Sequence, residues 1–385
     1  MSNTKANSNP ETKRVAVSFA AIDQYLESYI VAPVEKRAPG KSMVEWGTVN
    51  RYPQYLVELY DNVTTLHTIV DGDVDFVAGD DVHLTVPSDA PHFQNETMNR
   101  KGATIREQVR DLAHDLDLFG GFALQVIRDK EGRVAELYHI PVERLRSDAD
   151  NEAFWYSEDW GIRRSRKMTL VYPKFIADLD WAGLSDEEKT RHASSIFYVK
   201  NIHTRTYPMP VFAAAVKACE IERCADDYHL NAINNNFEGS AMVNFNNGTP
   251  TQEQQEEIEE EFNEKFSGHQ NAGRIVFSWN ANKDAATTIT GIEVKDFGER
   301  YKALAEHSRQ QIYCAFRAVP SLFGLPTASG FSVEEYEQAF KLYNRTRIQP
   351  MQKTIVDAYA RVLGEGAVVS IVPFSLDGNN ENNVQ

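Results

Sequence analysis

The stretch QIYCAFRAVPSLFG, residues 311–324, decides how the chain is read. Just before and within it, Tyr301, Leu304, Ala305, Ser308, Ile312 and Phe316 recur at helical spacing, so it closes a long helix over about residues 299–317. Pro320 breaks that helix, because proline lacks the amide hydrogen and its ring crowds the preceding turn. Residues 324–331 are loop by composition. Ser332 and Glu335 then form a Ser-x-x-Glu capping box ahead of a new helix, which carries Tyr336, Phe340 and Tyr343 to Pro350. Residues 351–363 continue helically, and Val368 to Val372 is a last short strand.

Further toward the N-terminus, a second long helix is predicted from about Pro210 to Phe237, a span free of internal glycine, with an apolar start from Val211 to Val216. Such a start must be covered on several sides, by the protein's own core or by other subunits. Between the two helices, Ala241–Phe245, 274–279 and 287–294 read as strands. Residues 251–266 read as a surface helix in which Ile258, Phe262 and Phe266 make a thin apolar stripe through a dense run of glutamates. The block 241–294 is thus a small α+β insert. In the N-terminal half, Leu56, Leu59, Tyr60, Val63, Leu66, His67 and Val70 predict one amphipathic helix, and Ile105, Val109, Leu112 and Leu116 another. Gly120-Gly121 stops the latter, and a hairpin follows: strand 122–128, turn 129–132, return strand 134–140. Ser195–Lys200 is a further strand. The first thirteen and last eight residues read as frayed tails.

Composition excludes several functions. The 385 residues carry 56 acidic against 40 basic side chains, a formal charge of −16, which is wrong for a protein that coats DNA by neutralising phosphates. No stretch approaches the roughly 18 apolar residues of a membrane helix, and no signal-peptide core follows the polar N-terminus. Cys219, Cys224 and Cys314, odd in number and without C-x-x-C spacing, read as thiols in a reducing compartment, with neither a disulfide framework nor a zinc site. Gly40-Lys41-Ser42 resembles the end of a phosphate loop, but Glu35 stands where that loop needs glycine. His114 with Asp115 and His192 with Asp186 lack metal-ligand spacing, and no Gly-x-Ser-x-Gly elbow is present. No catalytic residue, metal ligand or cofactor is assigned.

The order of segments resembles the portal proteins of tailed double-stranded-DNA bacteriophages over about residues 50 to 360. The resemblance is carried by Asp117-Leu118-Phe119-Gly120-Gly121-Phe122-Ala123 with Asp129 to Gly132 and Leu137 to Pro141, then by Pro210 to Ala215. It continues in Phe266-Ser267-Gly268 with Asn271-Ala272-Gly273-Arg274, and in residues 311–324. The helix end Asn235-Asn236-Phe237-Glu238-Gly239 departs from the family's usual F-x-N-G order, and little chain remains after Val372, so a helical crown is expected to be absent or vestigial.

The resemblance implies an α+β portal fold. Its parts would be a disordered tail 1–13, a mixed α/β wing 14–207, stem helices 208–238 and 297–318, a small α+β clip 239–296, a tunnel loop and channel helix 319–363, and a short wing strand and tail 364–385. It implies a ring, in the family a dodecamer, at one capsid vertex, through which DNA is packaged and ejected as non-specific cargo. The expected partners are the terminase large subunit, the major capsid protein and a head–tail connector. No membrane is involved, and the protein would reside in the virion after assembly in the host cytoplasm. Thr327, Ala328, Ser329, Gly330, Lys341 and Arg345 would face the DNA channel, with Arg347 the next basic side chain; Glu256, Glu257, Glu260 and Glu261 would face the terminase. For the basic residues a solvated face or intersubunit ion pairs stays open, and for the glutamates a merely solvated helix. An acidic lumen would repel a sliding duplex and keep friction low. Two other readings stand beside this one: a phage-encoded nucleic-acid-processing enzyme, and a portal-like part of a gene transfer agent.

Overall fold

The computed structural model describes residues 35–37, 42–47, 49–87, 92–93, 95–160, 169–234, 241–245, 251–254, 275–279, 288–291, 297–324 and 332–374. The N-terminal part runs β1 (Glu35–Arg37), β2 (Val44–Trp46), α1 (Tyr52–Asn62), α2 (Thr64–Ala78), β3 (Asp81–Thr85), α3 (Ile105–Leu118), β4 (Gly121–Arg128), β5 (Val134–Ile140), β6 (Leu145–Ser147), β7 (Ala153–Tyr156), β8 (Leu170–Pro173), α4 (Asp186–His192) and β9 (Ser194–Lys200). The C-terminal part runs α5 (Val216–Asn234), β10 (Ala241–Phe245), β11 (Ile275–Trp279), β12 (Thr288–Gly291), α6 (Phe297–Phe316), α7 (Val333–Tyr343), α8 (Gln349–Leu363) and β13 (Val368–Val372).

Small sheets serve the helices. β4 lies between β5 and β9, antiparallel to both, and β7 lies between β6 and β8. β10 pairs in parallel with β11 and antiparallel with β12, so the described strands of the predicted insert form one three-stranded sheet, and most of its predicted helix, 255–266, lies outside the described residues. The last strand, β13, returns to pair antiparallel with β3, which stitches the C-terminal end to the N-terminal part. One apolar core runs through both halves: Leu56, Leu66 and Ile69 from α1 and α2, Val109 and Leu112 from α3, Phe122 from β4, Phe316 from α6 and Ile355 from α8 are all buried in it.

Two predicted helices differ from expectation. The single amphipathic helix around Leu56–Val70 is two helices, broken at Val63 in extended conformation (φ −113°, ψ 104°). Three β-branched residues in a row, Val63-Thr64-Thr65, resist helix more than their neighbours. Val63 stays buried and still donates to the Leu59 carbonyl, so the apolar period runs on across the break. The apolar start at Val211 is not α-helix. It is a turn and a 3-10 segment (Ala213–Ala215) before α5, with the buried Phe212 ring stacked on Phe316 at 5.4 Å while Val211 is exposed. Pro208 and Pro210, which fix their own backbone angles, keep the chain out of helix until there. This one turn therefore sorts its apolar residues inward and outward, and covering on every side is not required.

The fully buried Arg146 ties the sheet β6–β7–β8 to the helices, and among the described residues no carboxylate pairs with it. Its guanidinium donates to Asn50 Oδ1 (2.6 Å) and to the carbonyls of Asn50, Glu143 and Leu145, and lies over the rings of Trp160 and Trp46. Desolvation pushes its pKa down from the usual arginine value to about 10.

Candidate functional site

The described chain leaves for residues 325–331 at Gly324 and returns at Ser332, and both ends are built to be fixed. The 3-10 turn Pro320–Phe323 begins on proline and is closed by Gly324 in the left-handed region (φ 80°). On the return, Ser332 Oγ accepts from the Glu335 amide (3.2 Å) while Glu335 Oε2 accepts from the Ser332 amide (3.0 Å), the capping box read from the sequence.

The anchors on either side of this segment, Phe323 just before it and Tyr343 at the far end of α7, meet the same turn of α2. Phe323 packs against Gly72, where a Cβ would stand 2.6 Å from the ring, so this mid-helix glycine is there for close approach. Phe323 meets the Tyr343 ring edge-on at 5.8 Å, and Phe76, one turn along α2, touches Phe323, Phe340 and Tyr343. Aromatic pairs in such geometry add about 0.5–1.5 kcal/mol each beyond burial.

A polar seat lies beside this aromatic clasp. Tyr343 Oη donates to Asp73 Oδ1 (2.6 Å), Arg347 Nε donates to Asp73 Oδ2 (3.1 Å), and the other arm of Arg347 pairs with Asp117 at the end of α3. The Arg347 guanidinium also lies 5.4 Å over the Phe316 ring. Both aspartates are fully buried, and Asp117 Oδ2 has no partner among the described residues. Burial pushes the Asp73 carboxyl above its ordinary range, and Arg347 and Tyr343 offset that only in part.

The pair α5–α6 has a polar seat of its own on α1 and α2. Tyr55 Oη donates to Glu220 Oε1 (2.7 Å) and Thr65 Oγ1 to Glu222 Oε1 (2.8 Å). Arg223 pairs with Glu220 at 2.8 Å, whereas among the described residues the cation paired with the buried Glu222 is the half-exposed Arg309 at 3.8 Å. Burial raises the Glu222 pKa.

Of the residues expected at the channel, Lys341 is exposed and pairs with Glu337 at 3.3 Å, one turn back on α7, and Arg345 is exposed in the segment after it. Arg347 differs from both readings given to it, since it turns into the core. Thr327, Ala328, Ser329 and Gly330 lie outside the described residues, as do Glu256, Glu257, Glu260 and Glu261. The sequence reading missed Gly72, Asp73 and Phe323 as a seat; the legible signal was a glycine in mid-helix between Asp71 and Asp73. Asp117 was quoted as part of a motif without a role, and its role is to receive Arg347. Among the described residues no three His, Cys, Asp or Glu side chains are grouped to hold a metal, and no helix is long and apolar enough to cross a membrane.

A family model described as phage portal protein matches residues 96–378, well over half of the chain. The chain belongs to this family. The match spans the Asp117–Ala123 motif, the insert, and the chain from residues 311–324 on to β13. A similar fold is found in solved particles. A chain in the virion of a native gene transfer agent (GTA) particle is 17% identical, with 85% of each chain covered and a TM-score of 0.54. One in the neck of a native GTA particle computed with C12 symmetry is 17% identical, with 85% of this chain and 86% of that one covered and a TM-score of 0.52. One in the neck of an empty GTA particle computed with C6 symmetry is 16% identical, with 92% and 90% covered and a TM-score of 0.53. No curated protein sequence matches the chain. The expected α+β portal fold is thereby borne out, and the glycines of the quoted motif have a physical reason. Gly120 has φ +83°, and a Cβ there would fall on the Met209 carbonyl oxygen; one on Gly121 would fall on that of Val199.

Proposed function

We propose that this portal-family chain forms a closed ring, a dodecamer as in the matched neck computed with C12 symmetry, and that the ring is the channel for DNA packaging and ejection at one capsid vertex. The observation that carries the reading is the loop base. The chain is anchored to one turn of α2 by Phe323 before the segment and by Tyr343 at the far end of α7, with Lys341 and Arg345 exposed nearby, an arrangement that can offer a loop to a passing duplex while the chain on either side stays seated. Residues 14–207 are then the wing, 208–238 and 297–318 the stem, 239–296 the clip, 319–363 the tunnel loop and channel helix, and 364–385 a short return to the wing. The pairing of β13 with β3 supports that last assignment. The clip is the docking site for the terminase large subunit and the head–tail connector, with Glu256, Glu257, Glu260 and Glu261 on its acidic helix, and the wing meets the capsid protein. The ring itself hydrolyses nothing.

Negative-stain microscopy and native mass spectrometry test the ring, and a protein that stays monomeric at every concentration overturns it. Deleting Thr327 to Gly330 is expected to leave rings intact and to impair DNA packaging or retention; loss of ring formation would refute the loop assignment. The three structural matches to GTA particles favour a second reading, a portal-like part of a gene transfer agent with the same architecture. Sequencing the DNA inside purified particles separates the two, because a phage encloses its own genome and a transfer agent encloses host fragments.

A further inference from the structure

Between α7 and α8 the helix widens into a single π-helical turn, Asn344–Ile348. Pro350, in the first turn of α8, supplies a local reason: it has no N–H for the carbonyl four residues back, and its ring crowds that carbonyl. The turn also solves a problem of phase. Tyr343, Arg347, Met351, Ile355 and Tyr359 are spaced by four, and all turn toward the core. In an unbroken α-helix a four-residue step overshoots a full turn by about 40°, so four such steps drift roughly 160° and leave the face. A wider π turn undershoots, and takes back most of one step. Arg347 sits in this turn, its side chain reaching Asp73 on α2 and Asp117 on α3 at once. Leu342, Lys341 and Arg345 are exposed around it, and Leu342 is 63% accessible.

We propose that Arg347 is a positioning residue: by pinning the π turn between Asp73 and Asp117 it sets the rotational phase and depth of α7, and so the attitude of the helix that receives the chain from residues 325–331. The geometry supports this over simple packing. Tyr343 and the Phe340 ring hold α7 against α2 at one place, whereas a two-armed guanidinium held by carboxylates on two different helices fixes rotation as well as distance. Removing the cation leaves two carboxylates buried with no counter-charge, which is expected to shift the seated-to-released equilibrium of α7 by more than about a hundredfold.

The test uses the full-length protein with Cys224→Ser and Cys314→Ser, and a nitroxide attached through Leu342→Cys. The parent is expected to give one slow spectral component. Arg347→Met is expected to add a mobile component, and Arg347→Lys, which keeps the charge but reaches one carboxylate at a time, a smaller one. Arg347→Met with Asp117→Asn, which removes one stranded charge, is expected to fall back toward the parent. A spectrum for Arg347→Met that superimposes on the parent below the unfolding temperature overturns the proposal. Should that variant not fold, an unchanged spectrum for Arg347→Lys overturns it equally. The consequence for DNA rests on the channel reading, but the label reports on α7 whether or not rings form, so the two can fail separately.

Discussion

Replacing Glu222 by glutamine is expected to stabilise the protein. The carboxylate is buried where α5 meets α2; one oxygen accepts from Thr65 and the other, Oε2, has no partner among the described residues. Its nearest cation, Arg309, stands 3.8 Å away and is half exposed, so that pair contributes no more than about 1 kcal/mol. Keeping a carboxylate charged in such a place costs several kcal/mol. Glutamine retains the acceptor for Thr65 and removes the charge, while its amide hydrogens forfeit about 1–3 kcal/mol if they find no acceptor. The expected net gain is about 1–2 kcal/mol at neutral pH, or roughly 1–4 °C in a protein of this size. Its pH dependence follows from the sign of the shift. Burial raises the folded pKa above the ordinary 4.5, so the folded state binds the proton more readily and the wild type loses this contribution as pH rises through that interval. The difference between Glu222→Gln and wild type is therefore expected near zero around pH 4, to open above 4.5, and to level off at neutral pH. Urea titrations at a series of pH values and one fixed protein concentration measure it. A variant less stable than wild type at neutral pH, or a difference that does not change with pH, refutes the reasoning.

Arg146→Lys is expected to cost about 3 kcal/mol, because a point-like ammonium cannot serve the carbonyls and Asn50 together or stack between two indoles. Tryptophan fluorescence from Trp46 and Trp160 checks it, and an unshifted emission with full stability refutes it. Gly120→Ala is expected to cost about 3 kcal/mol or more, since it meets a backbone carbonyl at φ +83°, whereas Gly324→Ala, at φ +80° with open space around it, is expected to cost about 1 kcal/mol. Equal losses in a thermal comparison would show that the collision with Met209 is not the cause.

What was legible in the sequence was what neighbours in the sequence decide. The Ser332–Glu335 box, the stop at Gly120-Gly121, the hairpin 122–140 and the strand Ala241–Phe245 each rest on residues within a few positions of one another, and the structure has them where they were read. The box at Thr104 and Glu107 obeys the same local grammar and was simply not read. Val63 was hidden for another reason: its side chain keeps the apolar period while its backbone leaves the helix. Arg347 was hidden by distance, since its two partners lie 274 and 230 positions earlier in the chain, and from the sequence it is one basic residue among three near the loop. Arg146 was harder still, because its partners are mostly backbone carbonyls, which every residue has.

The anchors that flank the 325–331 segment, one before it and one beyond α7, share a footing on α2, and that has a mechanical meaning. Phe323 on Gly72 and Tyr343 with Arg347 on Asp73 act in parallel, so a tug on the segment is divided between them. Breaking either one transfers the load to the other instead of freeing the chain. A pull would have to defeat an oily joint and an ionic one together, and because the ionic one is buried, salt screens it little. The grip on the segment is thus buffered against ionic strength, which rises steeply wherever counterions crowd around compacted DNA.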